Sequence, residues 1–227
     1  MRVVLGFDME TDVGSFTPFY EGLVKGAPVI LDILARRGVT ATFFFTGASA
    51  RQHPGTPAAV RAAGHEIGCH TLFHETIGDA LFPVIGVPPV LPEEVPHRLA
   101  EATRWVEAAA GVRPVSFRAP RLFGSTAMIN ALEELGYVAD ASYPIYFYRD
   151  RLTPYHPSRE DWTKEGNLRL LELPNFADLS MPSADPYGRD RDQWPLFRTE
   201  SAGALMRHVD GFVGYCGAAG VEPFLCF

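Results

Sequence analysis

Cysteine is scarce in this sequence: Cys69, Cys216 and Cys226 are all that 227 residues hold, which argues against a disulfide framework. No apolar run approaches the length of a membrane span. The opening MRVVLGFDMETD turns acidic before it could form the core of a signal peptide, so a soluble, cytoplasmic protein is expected. Basic residues are outnumbered, 20 Lys and Arg against 27 Asp and Glu, and they are scattered. The net charge of −7 and the absence of any Lys/Arg cluster argue against a nucleic-acid partner. There is no internal repeat, low-complexity tract or divided composition, so residues 1–227 are expected to form one domain.

What the chain does contain is an alternation of short apolar runs with helix-like segments. Residues 2–7, 40–46, 65–69, 115–118, 137–141, 168–173 and 223–227 read as strands. Residues 23–37, 56–63, 92–110, 125–135 and 201–219 have helical spacing, several stopping at glycine: Gly38, Gly64, Gly111 and Gly136. Repeated β-then-α units with short connections predict an α/β fold on a parallel sheet, open or closed into a barrel. Residues 77–91, 143–166 and 175–198 break the rhythm with Pro, Gly, Asp and aromatics, as binding loops do. The final EPFLCF looks like a strand cut short, and the native protein is expected to continue past it.

In such folds, functional groups gather just past the C-terminal ends of strands. Asp8 and Glu10 follow the first strand, His70 and His74 the third, and Arg118 and Asp140 end the next two. One carboxylate with two imidazoles is a common ligand set for zinc or another first-row divalent ion. Two histidines four apart can reach one metal if the backbone between them makes a helical turn. Taken singly, an HxxxH pair is more often packing, and a loop acid more often caps backbone N–H groups. Their joint position at successive strand ends favours a site.

These residues also carry a resemblance. GFDME, GHEIGCHTLFHE and FRAPR, in this order and separation, resemble the first three motifs of the polysaccharide deacetylase superfamily, the NodB-homology domain; the similarity covers residues 1–142 well and the rest loosely. It implies a distorted (β/α)7 barrel, here ending at its last strand. It implies a divalent metal, zinc first and Co, Ni or Mn also admissible, with His70 and His74 as ligands. Asp8 would be the general base and Glu10 the third ligand, in a spaced Asp-x-Glu version of the acid pair, with Asp12 in reserve. Arg118 would orient Asp8. Arg121, where the family usually has tyrosine, would offer its backbone N–H to an oxyanion, and its guanidinium would favour an anionic substrate. His65 and Asp140 fit supporting roles behind the ligands.

The implied activity is metal-dependent hydrolysis of a non-peptide C–N amide bond, foremost N-deacetylation of an acylated amino sugar or polysaccharide. Hydrolysis of small cyclic amides or imides, deformylation of a lipid-linked sugar, and a non-catalytic carbohydrate-binding role are the alternatives. The expected partner is a carbohydrate or small molecule, and homo-oligomerisation is left open. Phe16, Phe19, Tyr20, Phe73, Phe123, Tyr143, Tyr146 and Tyr148 are candidates for a sugar groove or for packing. The family's late histidine, a general acid, has no counterpart, since His208 falls within the last helix and His156 in a loop.

Overall fold

The computed structural model describes residues 1–192 and 200–227, with only the backbone described for Ser15. Its strands are β1 (Arg2–Val4), β2 (Gly6–Met9), β3 (Thr42–Phe45), β4 (Glu66–Cys69), β5 (Ser116–Phe117), β6 (Ala139–Asp140), β7 (Leu171–Glu172) and β8 (Phe224–Cys226). All ladders are parallel, β2 to β7 forming one sheet in chain order and β1 pairing with β8. The helices are α1 (Ala27–Arg37), entered through a π-helical turn at Gly22–Gly26, α2 (Gly47–Gln52), α3 (Gly55–Ala62), α4 (Val95–Ala110), α5 (Thr126–Glu134), α6 (Ile145–Tyr148) and α7 (Ala202–Ala218).

The predicted first strand divides at Leu5, because β1 follows β8 while β2 follows β3. Counted as one position, β1 and β2 leave seven strand positions. After β7 the chain meets β8 through a single parallel bridge, Asn175↔Cys226, with Phe176 N–H donating to the Cys226 carbonyl at 2.8 Å. The ring is thus joined there by one bridge, and its ladders do not run all the way round.

Local chemistry accounts for most of the elements. The Phe43–Phe45 run of β3 is buried on both faces, as a central parallel strand must be. Ser125 and Ser201 cap α5 and α7 with their hydroxyls, and Gly38 and Gly111 end α1 and α4 in the left-handed conformation. Phe43, Phe45 and Phe117 belong to the main core with Leu99, Val106, Ile129 and Leu132 of α4 and α5. Phe44, pointing the other way, joins Ala141, Phe224 and Cys226 in a smaller cluster. Strands 115–118, 137–141 and 168–173 are shorter than predicted, while α2 and α6 were not anticipated. Residues 193–198 of the third irregular stretch lie outside the described residues. No described helix is long and apolar enough to cross a membrane.

Register then places the site. Met9, Phe45, Cys69, Phe117, Asp140 and Glu172 stand side by side across the sheet. The next residue on each strand therefore falls on one rim, which brings Glu10, His70 and Arg118 together.

Candidate metal centre

Glu10 leaves the end of β2 and meets both imidazoles. Its Oε2 lies 3.4 Å from His70 Nε2 and is in close contact with His74 Nε2, and one ligand atom from each residue falls within 4.8 Å of the others. His70 is 1 % and His74 7 % exposed. His70 Nδ1 is 2.7 Å from the Arg118 carbonyl, which can only accept, so the proton is on Nδ1 and the Nε2 lone pair faces the acids. Glu10 Oε2 and His70 Nε2 are buried, and among the described residues neither receives a well-directed hydrogen bond. Buried acceptors aimed at one point are costly without a partner, and a Glu/His/His set suits a divalent cation. The residues present therefore fit the metal expected from the sequence.

The electrostatics agree with a site built for positive charge. Burial opposes ionisation of Glu10, yet the two imidazoles outweigh it and hold its carboxyl down at about 2. For His70, burial is likewise outweighed, here by Asp8 and Glu10, and its pKa is raised; burial dominates at His74 and lowers it.

The loop carrying His74 is not the helical turn that HxxxH suggested. Residues 70–75 are irregular, and Thr71 and His74 take left-handed φ values of 65° and 60°. The Thr71 and Leu72 carbonyls accept from Gly47 and Ala48 N–H at the start of α2, which holds this strained loop in place. Arg121 and Leu122 add two more left-handed residues beside it. Gly14, at φ 53°, closes over the centre, where a Cβ would stand 3.1 Å from His74 Cε1.

Asp8 is the accessible acid, with its side chain 36 % exposed. Arg118 Nη1 donates to its Oδ1 at 3.1 Å, and its other oxygen lies 3.9 Å from His70 Nε2. Arg118 Nη2 donates to the Phe227 carbonyl at 2.9 Å, and the guanidinium lies over Phe44, 4.6 Å from the ring centre. Arg121 is held against His74, with Nη1 3.3 Å from its carbonyl and Nη2 3.3 Å from its Nδ1. Asp12 is used elsewhere: its carboxylate accepts Glu21 and Gly22 N–H at 3.1 and 2.7 Å, capping the π-helical turn.

His65 stands at the far end of β4 from His70, and its Nδ1 accepts Ala41 N–H at 3.3 Å, which is strand support. Asp140 does lie behind the centre. Its partner there, Glu172, was overlooked because ELP in an apolar run carries no motif, and only register brings it opposite Asp140. His208 is bound to Asp178, and His156 Nδ1 to the Leu170 carbonyl. Of the aromatic candidates, Phe123, Tyr143 and Tyr146 are core, whereas Tyr20 and Phe73 line a cavity of about 190 Å³ beside His74 with Thr11, Thr17 and Thr46.

Comparison with known proteins gives the family and the fold. A chitooligosaccharide deacetylase of Azorhizobium caulinodans is 30% identical over 110 residues, 48% of each chain, and one of Sinorhizobium fredii is 45% identical over 47 residues, 21% of this chain and 22% of that one. The chain thus spans less than half the length of these curated relatives. A candidate polysaccharide deacetylase of Mycobacterium smegmatis shares the fold at a TM-score of 0.69 and 22% identity, over 99% of this chain and 75% of that one. Puue allantoinase shares it at 0.63 and 17%, over 100% and 76%. The family model described as polysaccharide deacetylase matches residues 3–139, the part that carries Asp8, Glu10, His70, His74 and Arg118, and the chain belongs to that family.

Proposed function

We propose that this protein is a metal-dependent hydrolase that removes the acyl group from an N-acylated amino sugar. The observation that carries the reading is the meeting of Glu10, His70 and His74 on one rim, with an accessible Asp8 beside them held by Arg118. Glu10 Oε2, His70 Nε2 and His74 Nε2 would hold the ion. A divalent cation bound there supplies Lewis acidity and eases deprotonation of water.

The remaining chemistry belongs to the chain. Arg118 fixes one oxygen of Asp8, leaving the other to take a proton from the water that attacks the amide carbon. Attack makes a tetrahedral carbon with a negative oxygen. We assign Arg121 N–H as a donor to that oxygen, since its left-handed residue turns the 119–122 backbone at the edge of the centre. The C–N bond then breaks, the acyl group leaves as its acid and the nitrogen takes up the proton that Asp8 removed from the water.

A second reading, hydrolysis of a small amide, is favoured by the compact cavity beside His74, which offers three threonines, a tyrosine and one aromatic wall. The test is metal analysis of the purified protein and its His70→Ala variant by mass spectrometry, followed by release of acetate from N-acetylglucosamine oligomers. About one ion per chain, lost with His70, and acetate release dependent on it are expected. No metal after reconstitution would overturn the reading. Turnover of small amides alone would overturn the sugar assignment.

A further inference from the structure

Behind the centre, two buried acids face each other. Asp140 and Glu172 end adjacent strands in register, and both are fully buried. Among the described residues, no N–H or hydroxyl donates to Asp140 Oδ2 or Glu172 Oε2. Their other oxygens are committed. Asp140 Oδ1 accepts the Ser142 hydroxyl at 2.6 Å, and Glu172 Oε1 accepts Ser142 and Tyr143 N–H at 3.0 and 2.8 Å. Among the described residues, the charged and titratable groups that act on the pair include Arg118, already engaged with Asp8, the Cys226 thiol and the Tyr155 hydroxyl. Two carboxylates cannot both ionise in such a place, and one proton between the free oxygens resolves the conflict.

The pair is also connected to the centre. Ser142 Oγ, while donating to Asp140, accepts Ala119 N–H at 2.8 Å. That N–H belongs to the same peptide unit as the Arg118 carbonyl, which accepts His70 Nδ1–H at 2.7 Å. Imidazole, peptide and hydroxyl therefore all donate in one direction, toward Asp140. A negative end polarises every bond in such a chain and makes the far imidazole nitrogen a better donor of its lone pair.

We infer that Asp140 and Glu172 share one proton and, as a singly charged pair, act through Ser142 and the 118–119 peptide to position His70 for its ion. They are positioning residues, since neither is exposed to a substrate. The role extends the proposed metal centre and rests on it, but the shared proton does not.

Two measurements separate these parts. The infrared spectrum of the metal-free protein at pH 7 is expected to show the carbonyl band of a protonated carboxylic acid, lost in both Asp140→Asn and Glu172→Gln. Each variant replaces one acid by an amide that can donate to the other, so the fold is kept. No such band, or a band that survives both substitutions, overturns the shared proton. Calorimetric titration with Zn²⁺, at a temperature where circular dichroism shows both proteins folded, is expected to show Ser142→Ala binding about 10-fold or more weakly than the parent. Equal affinity overturns the relay. If the parent itself takes up no zinc, the relay to a metal falls with the proposed function, and the infrared result still decides the pair.

Discussion

Arg118 Nη1 donates to Asp8 Oδ1 at 3.1 Å across 110 residues of chain, the two sitting on strand positions that are not neighbours in the sheet. The same guanidinium holds the Phe227 carbonyl and rests on the Phe44 ring, so three elements fix the direction of one carboxylate. Lysine would keep the charge and lose the fork. Arg118→Lys is expected to fold, bind metal and lose about 100-fold in kcat on the deacetylation assay, since misplacing a catalytic group by about 1 Å has that effect. Asp8→Asn is expected to lose more, about 10³-fold, as removal of a general base does. A variant at either position with undiminished kcat would remove that residue from the mechanism.

Gly6 makes room for this guanidinium. A Cβ on Gly6 would stand 2.5 Å from Arg118 Nη2, inside van der Waals contact. Gly6→Ala is expected to cost about 1–3 kcal/mol in urea unfolding, as overpacking does, and to lower kcat by displacing Arg118. Unchanged stability and rate would show that the arginine can move freely.

Glu133, near the end of α5, carries the chain into β7. Its carboxylate accepts Arg169 N–H and Leu170 N–H, at 3.3 and 3.0 Å, and Leu170 is fully buried. Glu133→Ala leaves these donors unmet and is expected to cost about 2 kcal/mol, with Glu133→Gln recovering part. Denaturant midpoints measure this, and an alanine variant as stable as the parent would deny Glu133 the role.

The buried acid pair sets a pH dependence. Burial raises Asp140 to about 6 against the hydrogen bonds it accepts, while burial and then the charge of Asp140 raise Glu172 well above its usual range. An acid whose folded pKa is raised adds stability that is present below its unfolded pKa and lost as pH rises through the folded one. The metal-free parent is therefore expected to lose stability from about pH 4 to beyond 6, on the order of 2 kcal/mol, and Glu172→Gln to lose less. Urea midpoints at pH 5 and pH 8 give the comparison; equal pH slopes in the two proteins would contradict it.

That Glu10, His70 and His74 come together was legible in the sequence, because strand ends in a parallel fold share a rim and short apolar runs reveal where strands stop. How His74 arrives was not legible there. Its left-handed φ, and that of the β-branched Thr71, is imposed by contacts with α2 and leaves no trace in local propensity. Asp12 suits a ligand by its place in the sequence, yet the backbone N–H groups of Glu21 and Gly22 claim it.

By itself the sequence determined the alternation of strands and helices, the stops at Gly38 and Gly111, and the residue types of the centre. These follow from hydrophobic period, backbone freedom and side-chain chemistry, which act over a few neighbours. Tertiary structure alone decided which acids matter. Asp140 and Glu172 become a pair only when β6 and β7 lie in register, and Ser142 becomes a link only when the 118–119 peptide is brought beside it. Hydrogen bonds and burial between residues 23 or more apart are set by the packing of the whole sheet.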